Sequence, residues 1–321
     1  MRCLVIGGSG QDGVLVSAQL LAAGHRVTTV SRRPSPLESV EHRSIDVADH
    51  AAVERLVAEV VPDEIYYLAA HHRSSQDGPP PLDADIAGCL AVNASSFAAL
   101  LASVARHAPA ARTVYASSCR IFGLGDGSVL DETAPRGPVC AYGLSKTAGM
   151  GIAELYRRER GLFVASAILF NHESELRPAA FLSKKLALAA LAARTDTSVR
   201  VAVGSLDDVA DWCSARDAAA GMQAMARAPD ADDFVVASGR PHTVRDFAAA
   251  AFDAVGLDWT RHVVATPVEG RPRWRLVGDS TKLTARTGWR PALGFEAMVR
   301  DLVARTDRHE RQRPADFHPY L

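Results

Sequence analysis

Tyr142 and Lys146 stand four residues apart in the segment YGLSK. That spacing puts both side chains on one face of a helix. A phenol beside an ammonium can exchange a proton with an alcohol, because the neighbouring positive charge favours the phenolate. The lysine can also hold the ribose of a nicotinamide cofactor. Such pairs also arise by chance on helix surfaces. The weight here comes from what precedes it: Ser117 and Ser118 close a β-branched run, TVYAS, where a hydroxyl can bind a substrate oxygen. Ser118, Tyr142 and Lys146 are therefore the candidate catalytic group, and the chemistry they suit is hydride transfer at a carbon bearing a hydroxyl.

A second constellation lies at the other end of the chain. Gly7, Gly10 and Gly13 recur every third residue in GGSGQDG, directly after the apolar run Leu4–Ile6 and before a helical pattern. Glycines there allow a tight turn and a close approach to a pyrophosphate, which the helix N-terminus then faces. An ordinary glycine-rich turn is the competing reading, and the strand-loop-helix context argues against it. The end of the next strand reads Ser31-Arg32-Arg33, with no acid for a ribose 2′-hydroxyl. Guanidinium groups suit a 2′-phosphate, so the segment favours NADP over NAD, against a solvated loop charge pair. Asp46 in IDVAD either approaches the adenine or caps a helix.

The elements that must position these groups alternate. Strands are expected at Leu4–Ile6, Arg26–Ser31, Glu64–Ala70 and Thr113–Ser117. Helices are expected over Val14–Ala23, Ala51–Val60 and Ile86–Arg106. This order predicts right-handed βαβ crossovers and an α/β fold: a Rossmann-type doubly wound parallel sheet. After about Phe170 the alternation breaks down, and Arg-Pro steps at 177–178, 240–241, 271–272 and 290–291 mark turns. The expected organisation is a dinucleotide-binding domain over 1–170 and a smaller C-terminal α/β substrate lobe over 171–321, some of whose segments return to the first domain. Arg305–Leu321 reads as a loosely packed polar tail.

Composition narrows the function classes. The 321 residues are 48% hydrophobic and 23% charged, with a formal net charge of -1. No basic run calls for nucleic acid. Five irregularly spaced cysteines form no zinc pattern, so no metal is expected and the thiols are read as reduced. No signal peptide and no apolar stretch of about 18 residues is apparent, so a cytoplasmic protein without a membrane span is expected.

With these motifs in place the chain resembles the extended short-chain dehydrogenase/reductases, and among them the GDP-mannose 4,6-dehydratase family. The resemblance runs from Gly7 to about Leu302 through GGSGQDG, YYLAA, YGLSK, ILFNHES, GSLDDVADW and LVGDSTKLTARTGWRP. It implies that Gly7, Gly10, Gln11, Asp12, Gly13, Arg32, Arg33, Asp46 and Val47 hold the cofactor. Leu68, Ala69, Ala70, Leu169 and His172, together with Tyr142 and Lys146, complete that set. It implies a nucleotide-sugar substrate, GDP-linked, contacted by Ser118, Cys119, Arg120, Asn171, Glu173, Arg177, Lys185 and Arg271. A homodimer through the long helices of the first domain is expected, with no nucleic-acid or membrane partner.

The departures from the family pattern are as informative as the matches. Where the family carries Thr-Ser-Glu, this chain has Ser118-Cys119-Arg120. The family's glutamate takes the C5 proton as water is lost, and an arginine cannot serve as that base. Its arginine before Asp-Trp is Ala210, its glutamate after Arg-Pro-x is Trp274, and the loop after Arg33 is shorter. Oxidation or reduction at C4 needs only Tyr142, Lys146 and the cofactor. Losing the base should cost elimination a factor on the order of 10²–10⁴. The leading expectation is a 4-keto reductase or an epimerase on a dehydratase scaffold. A dehydratase with a displaced base, Cys119 for example, and a catalytically silent NADP-binding regulatory module are the alternatives.

Overall fold

The computed structural model describes residues 1–72, 81–266 and 273–312. The first half builds the expected alternation: β1 (Arg2–Ile6), α1 (Gln11–Ala22), β2 (Arg26–Ser31), β3 (Glu41–Ser44), α2 (His50–Val60), β4 (Glu64–Tyr67), α3 (Leu82–Leu90), α4 (Ser96–His107) and β5 (Arg112–Ala116). Then follow β6 (Val129–Leu130), α5 (Ala141–Arg160), β7 (Val164–Leu169), β8 (Asn171–Glu173) and α6 (Leu182–Ala193). The remainder comprises β9 (Val201–Val203), β10 (Val209–Ser214), α7 (Ala215–Ala226), β11 (Asp233–Val236), β12 (Pro241–Thr243), α8 (Val244–Asp253), β13 (Val263–Ala265), β14 (Arg275–Gly278), α9 (Thr281–Thr287) and α10 (Phe295–Gln312).

Seven strands form one parallel sheet in the order β11-β7-β5-β4-β1-β2-β3. The order reverses between β1 and β4, and a crevice at the C-terminal ends of strands belongs at such a point. The inner strands are apolar because both faces are covered: every residue of β7, VASAIL, is buried. One face buries Leu4, Ile65, Phe97, Leu101, Tyr115 and Met150, and the other Val5, Val16, Leu20, Val114, Met222 and Phe234. β11 comes from beyond residue 170 and pairs with β7 from Asp233↔Ser166 to Val236↔Leu169. A smaller sheet, β12-β10-β14-β6 with β8 on β10, stands beside the first. A third core, including Leu186, Trp212, Phe247, Phe252, Phe295 and Val299, binds α6, α8 and α10 together.

Two expectations need correction. Leu82–His107 forms a 26-residue helical stretch that is long and apolar enough to cross a membrane by length and composition. Its second half belongs to the core: Phe97, Leu100, Leu101 and Val104 are fully buried. The stretch is interrupted by a π-helical turn at Ala91–Ser95. Residues 305–312 are not a loose tail but the end of α10. Thr306 there is fully buried, and Glu310 pairs with Lys184 at 3.0 Å.

Candidate active site

The glycine loop is shaped by what surrounds it. Gly7 has φ +94, and a Cβ there would lie 2.6 Å from the Ala69 nitrogen. A Cβ on Gly13 would meet the Gly7 oxygen at 2.2 Å. The backbone nitrogens of Gly7 and Gly8 both donate to the Val30 oxygen, tying the loop to β2. Gly10 caps α1 without a side-chain hydrogen bond, and a Cβ on it would touch the protein no closer than 3.5 Å. A helix N-terminus thus faces open space with unsatisfied N–H groups, which fits an anionic pyrophosphate. Arg32 and Arg33 follow β2, Asp46 and Val47 follow β3, Leu68–Ala70 follow β4, and Leu169 ends β7, all at C-terminal strand ends. Asp46 accepts from the Ala48 nitrogen, whereas the cap of α2 is Asp49, which accepts from Ala52.

Tyr142 and Lys146 lie on the first turns of α5, whose N-cap is Cys140. Ser118 follows β5; its hydroxyl accepts from the Arg120 nitrogen and lies close enough to Tyr142 to act on the phenol. Lys146 is fully buried and its Nζ donates to the Ala116 oxygen at 2.7 Å. The Nζ lies 5.6 Å from the centre of the Tyr142 ring. Burial lowers the Lys146 ammonium to about 7, against the pull of Asp12 and Cys89. Burial also raises the Tyr142 phenol, with Cys119 and Asp12 adding to it and Ser118 and Arg177 opposing. The expected lowering of Tyr142 by Lys146 is not found here, because the ammonium is turned to the β5 carbonyl. Tyr142 rests as the neutral phenol, the form that can donate a proton to a carbonyl oxygen.

A residue that sequence reasoning missed fixes this helix. Asn93 sits in the π-helical turn, fully buried. Its amide donates to the Ser145 hydroxyl at 2.9 Å, and its side-chain oxygen accepts from the His71 nitrogen. Its backbone oxygen accepts from Tyr115. The signal was present: an amide in the middle of the apolar run CLAVNASSFAALL must find partners when buried.

The Gln11-Asp12 segment reaches across to residues 172–174. His172 Nε2 lies 3.1 Å from Asp12 Oδ1, and its Nδ1 lies 2.7 Å from the Phe170 oxygen. Gln11 donates to the His172 oxygen, and Ser174 donates to Gln11. Burial works against both charges of the pair. The attraction of His172 nonetheless holds Asp12 well below the usual carboxylate range, and Asp12 in turn holds His172 above the ordinary value of 6.5. Glu173 and Arg177 are committed to each other at 3.1 Å. Ser183 also donates to Glu173, and Arg177 donates to the His172 oxygen.

The residues expected at the substrate do not all gather. Cys119, Arg120 and Asn171 line a small pocket beside Ser118, with Ala210, Asp211 and Trp274 opposite. Glu173 and Arg177 belong instead to the network around His172. Lys185 lies on α6, where its Nζ donates to the Ala202 oxygen. Arg271 lies outside the described residues. The pocket thus collects three of the positions at which the chain departs from the pattern the resemblance implies: Arg120, Ala210 and Trp274. The Arg120 guanidinium carbon stacks 3.5 Å from the Trp274 ring centre. Asp211 is buried and accepts from Ser238 N and Oγ, Gly239 N and Gly278 N.

Comparison with known proteins now places the chain. A model of the GDP-mannose 4,6 dehydratase family matches residues 4–302. The chain belongs to that family. It is 31% identical to GDP-mannose 4,6 dehydratase 1 of Arabidopsis thaliana, covering 94% of this chain and 88% of the relative. The human GDP-mannose 4,6 dehydratase is 28% identical, covering 94% and 90%. Among solved structures, the UDP-glucose 4-epimerase of Thermus thermophilus in complex with NAD superposes with a TM-score of 0.83 at 25% identity, over 96% of this chain and 99% of that one. The dTDP-glucose 4,6-dehydratase of Bacillus anthracis, at 16% identity and a TM-score of 0.83, covers 97% of this chain and 98% of its own, and shares the fold. The protein is therefore an enzyme of the short-chain dehydrogenase/reductase type, in the nucleotide-sugar epimerase/dehydratase class.

Proposed function

We propose that this family member is an NADP-dependent enzyme acting at C4 of a GDP-hexose-like nucleotide sugar, as a 4-keto reductase or an epimerase rather than a dehydratase. The observation that carries this reading is Arg120. It occupies the position of the elimination base and lies against Trp274, with no uncommitted carboxylate beside it among the described residues. Asp211 is saturated by four donors, Glu173 is held by Arg177 and Ser183, and Glu132 accepts from the Val235 nitrogen. Cys119 is a poor substitute, since burial pushes its thiol up to about 11.

The cofactor, when bound, supplies or accepts the hydride at C4. The chain does the rest. Gly7, Gly10 and Gly13 with the α1 N-terminus receive its pyrophosphate, and Arg32 and Arg33 suit a 2′-phosphate. Ser118 binds the C4 oxygen, and Tyr142 gives it a proton in reduction or takes one in oxidation. Lys146 anchors α5 to β5 through the Ala116 oxygen, and its remaining N–H groups would hold the ribose. A homodimer through α3–α4 and α5 fits the exposed Leu144 and Leu155 on α5 and Leu82 at the start of α3.

The test is incubation with GDP-mannose and NADP, followed by mass spectrometry, in parallel with 4-keto nucleotide sugars and NADPH. Reduction or epimerisation without loss of water supports the reading. A product lighter by one water overturns it in favour of a dehydratase with a displaced base.

A further inference from the structure

The pocket formed by Cys119, Arg120, Asn171, Ala210, Asp211 and Trp274 has an electrostatic character that C4 chemistry alone does not require. Arg120 Nη1 is buried and makes no hydrogen bond, and among the described residues no carboxylate pairs with the guanidinium. A buried guanidinium N–H with no acceptor costs stability unless a ligand completes it. Trp274 holds the guanidinium plane on one side, leaving its edge for a planar acceptor. The acid of the lining, Asp211, is turned to backbone and serine donors and makes no ion pair with Arg120.

We propose that this pocket receives a carboxylate at C6 of the sugar, so that the substrate is a nucleotide-linked hexuronic acid. The inference rests on the C4 reading above, and geometry links the two. Cys119 and Arg120 directly follow Ser118, and both Ser118 and the lining residue Cys119 lie close enough to Tyr142 to act on its phenol. In a hexopyranose, C6 hangs on C5, the neighbour of C4. With O4 on Ser118 and Tyr142, the C6 substituent falls within a few bond lengths of that contact. A guanidinium edge offers two parallel N–H groups, which match the two oxygens of a carboxylate.

The same inference explains the missing base. Elimination across C5 and C6 expels the C6 hydroxyl as water. A C6 carboxylate has no such leaving group, so a base at residue 120 would have nothing to do, and a glutamate there would repel the substrate. Trp274 removes a second acid from the positions where the family resemblance expects one. With Ala210 in place of an arginine, Arg120 is the cation of the lining. The three departures then form one change of specificity rather than three losses.

The experiment is calorimetric titration of the NADP-loaded protein with two matched pairs, GDP-mannose against GDP-mannuronic acid and UDP-glucose against UDP-glucuronic acid. The acid of at least one pair should bind about 10- to 100-fold tighter than its neutral partner, the range expected of charge-assisted hydrogen bonds. Arg120→Met and Arg120→Gln should abolish that preference while leaving NADP affinity unchanged, and Arg120→Lys should keep part of it. Equal binding of acid and neutral sugar, or a preference that survives Arg120→Met and Arg120→Gln, would overturn the inference. Binding of none of the four would overturn the GDP-hexose reading and this inference with it. An acid preference in a protein that leaves C4 unchanged would sustain the pocket assignment and overturn the C4 chemistry alone.

Discussion

Two polar regions flank Tyr142, and they are built on opposite plans. Around His172 the polar side chains are partnered: Asp12 with His172, Glu173 with Arg177, and Gln11 with Ser174 and the His172 oxygen. Around Trp274 the guanidinium of Arg120 stacks on a ring and leaves a buried nitrogen without a hydrogen bond. A closed network of this kind rigidifies and sets distances. An open one stores an unmet interaction for something that arrives later. The first region therefore reads as the frame that holds the glycine loop against β8, and the second as the place where substrate is told apart.

The contrast can be broken by substitution. The largest effect is expected at the residue between the two regions. Tyr142→Phe should lower turnover on the order of 10²–10⁴-fold with cofactor affinity retained, measured by steady-state kinetics and fluorescence titration. Near-normal turnover would remove Tyr142 from the chemistry. Next comes Glu173→Ala, which removes the carboxylate paired with Arg177 and leaves that guanidinium the His172 oxygen. It should cost about 3–5 kcal/mol of stability in urea unfolding. A loss below ~1 kcal/mol would show that the network is not the frame.

Asp12→Asn should cost about 1.5–3 kcal/mol, in a pH-dependent way. Asp12 is held below its ordinary 3.8, so its contribution is present above that value and is lost as pH falls through the depressed one. His172 is held above 6.5, so its contribution is full below that value and is lost as pH rises through the raised one. The gap between wild type and variant should thus be widest between pH 3.8 and 6.5 and narrow on either side. A gap that is flat with pH would mean the pair is not ionised. The smallest effect is expected from Arg120→Met. The stacking it loses is worth about 0.5–2 kcal/mol, and relief of an unpaired charge offsets it. Unfolding should therefore shift by less than ~1 kcal/mol, and a loss as large as that of Glu173→Ala would erase the distinction between the two regions.

Much of the frame is legible from residue patterns, because it depends on local order. The β-branched run Arg26–Ser31 is β2, and the glycine spacing stands between β1 and α1. The strand expected at Glu64–Ala70 stops at Tyr67, since Leu68–Ala70 turn along the glycine loop. β3 escapes notice because EHRS is a polar edge strand with no apolar alternation. The pairing of Arg120 with Trp274 joins positions 154 apart in sequence, and no periodicity carries such a contact. Gln11-Asp12-Gly13 and Asn171–Ser174 each belong to the motifs that carry the family resemblance. That they touch through Asp12 and His172 is a fact of three dimensions, and it gives the two motifs a physical reason to occur together.

The late arrival of β11 also bears on how the chain comes to be folded. Until residues 233–236 are in place, the fully buried strand Val164–Leu169 has one side of its backbone unpaired. An apolar edge of that kind is a template for association with other chains. Asp233 then draws in Arg136 and Arg157, and Glu132 receives the Val235 nitrogen, so the edge is sealed by partners made 76 to 103 residues earlier. During synthesis the seven-stranded sheet must wait for the chain up to Val236 to emerge from the ribosome. A fragment ending near residue 170 should therefore aggregate rather than stand as a free-living dinucleotide domain.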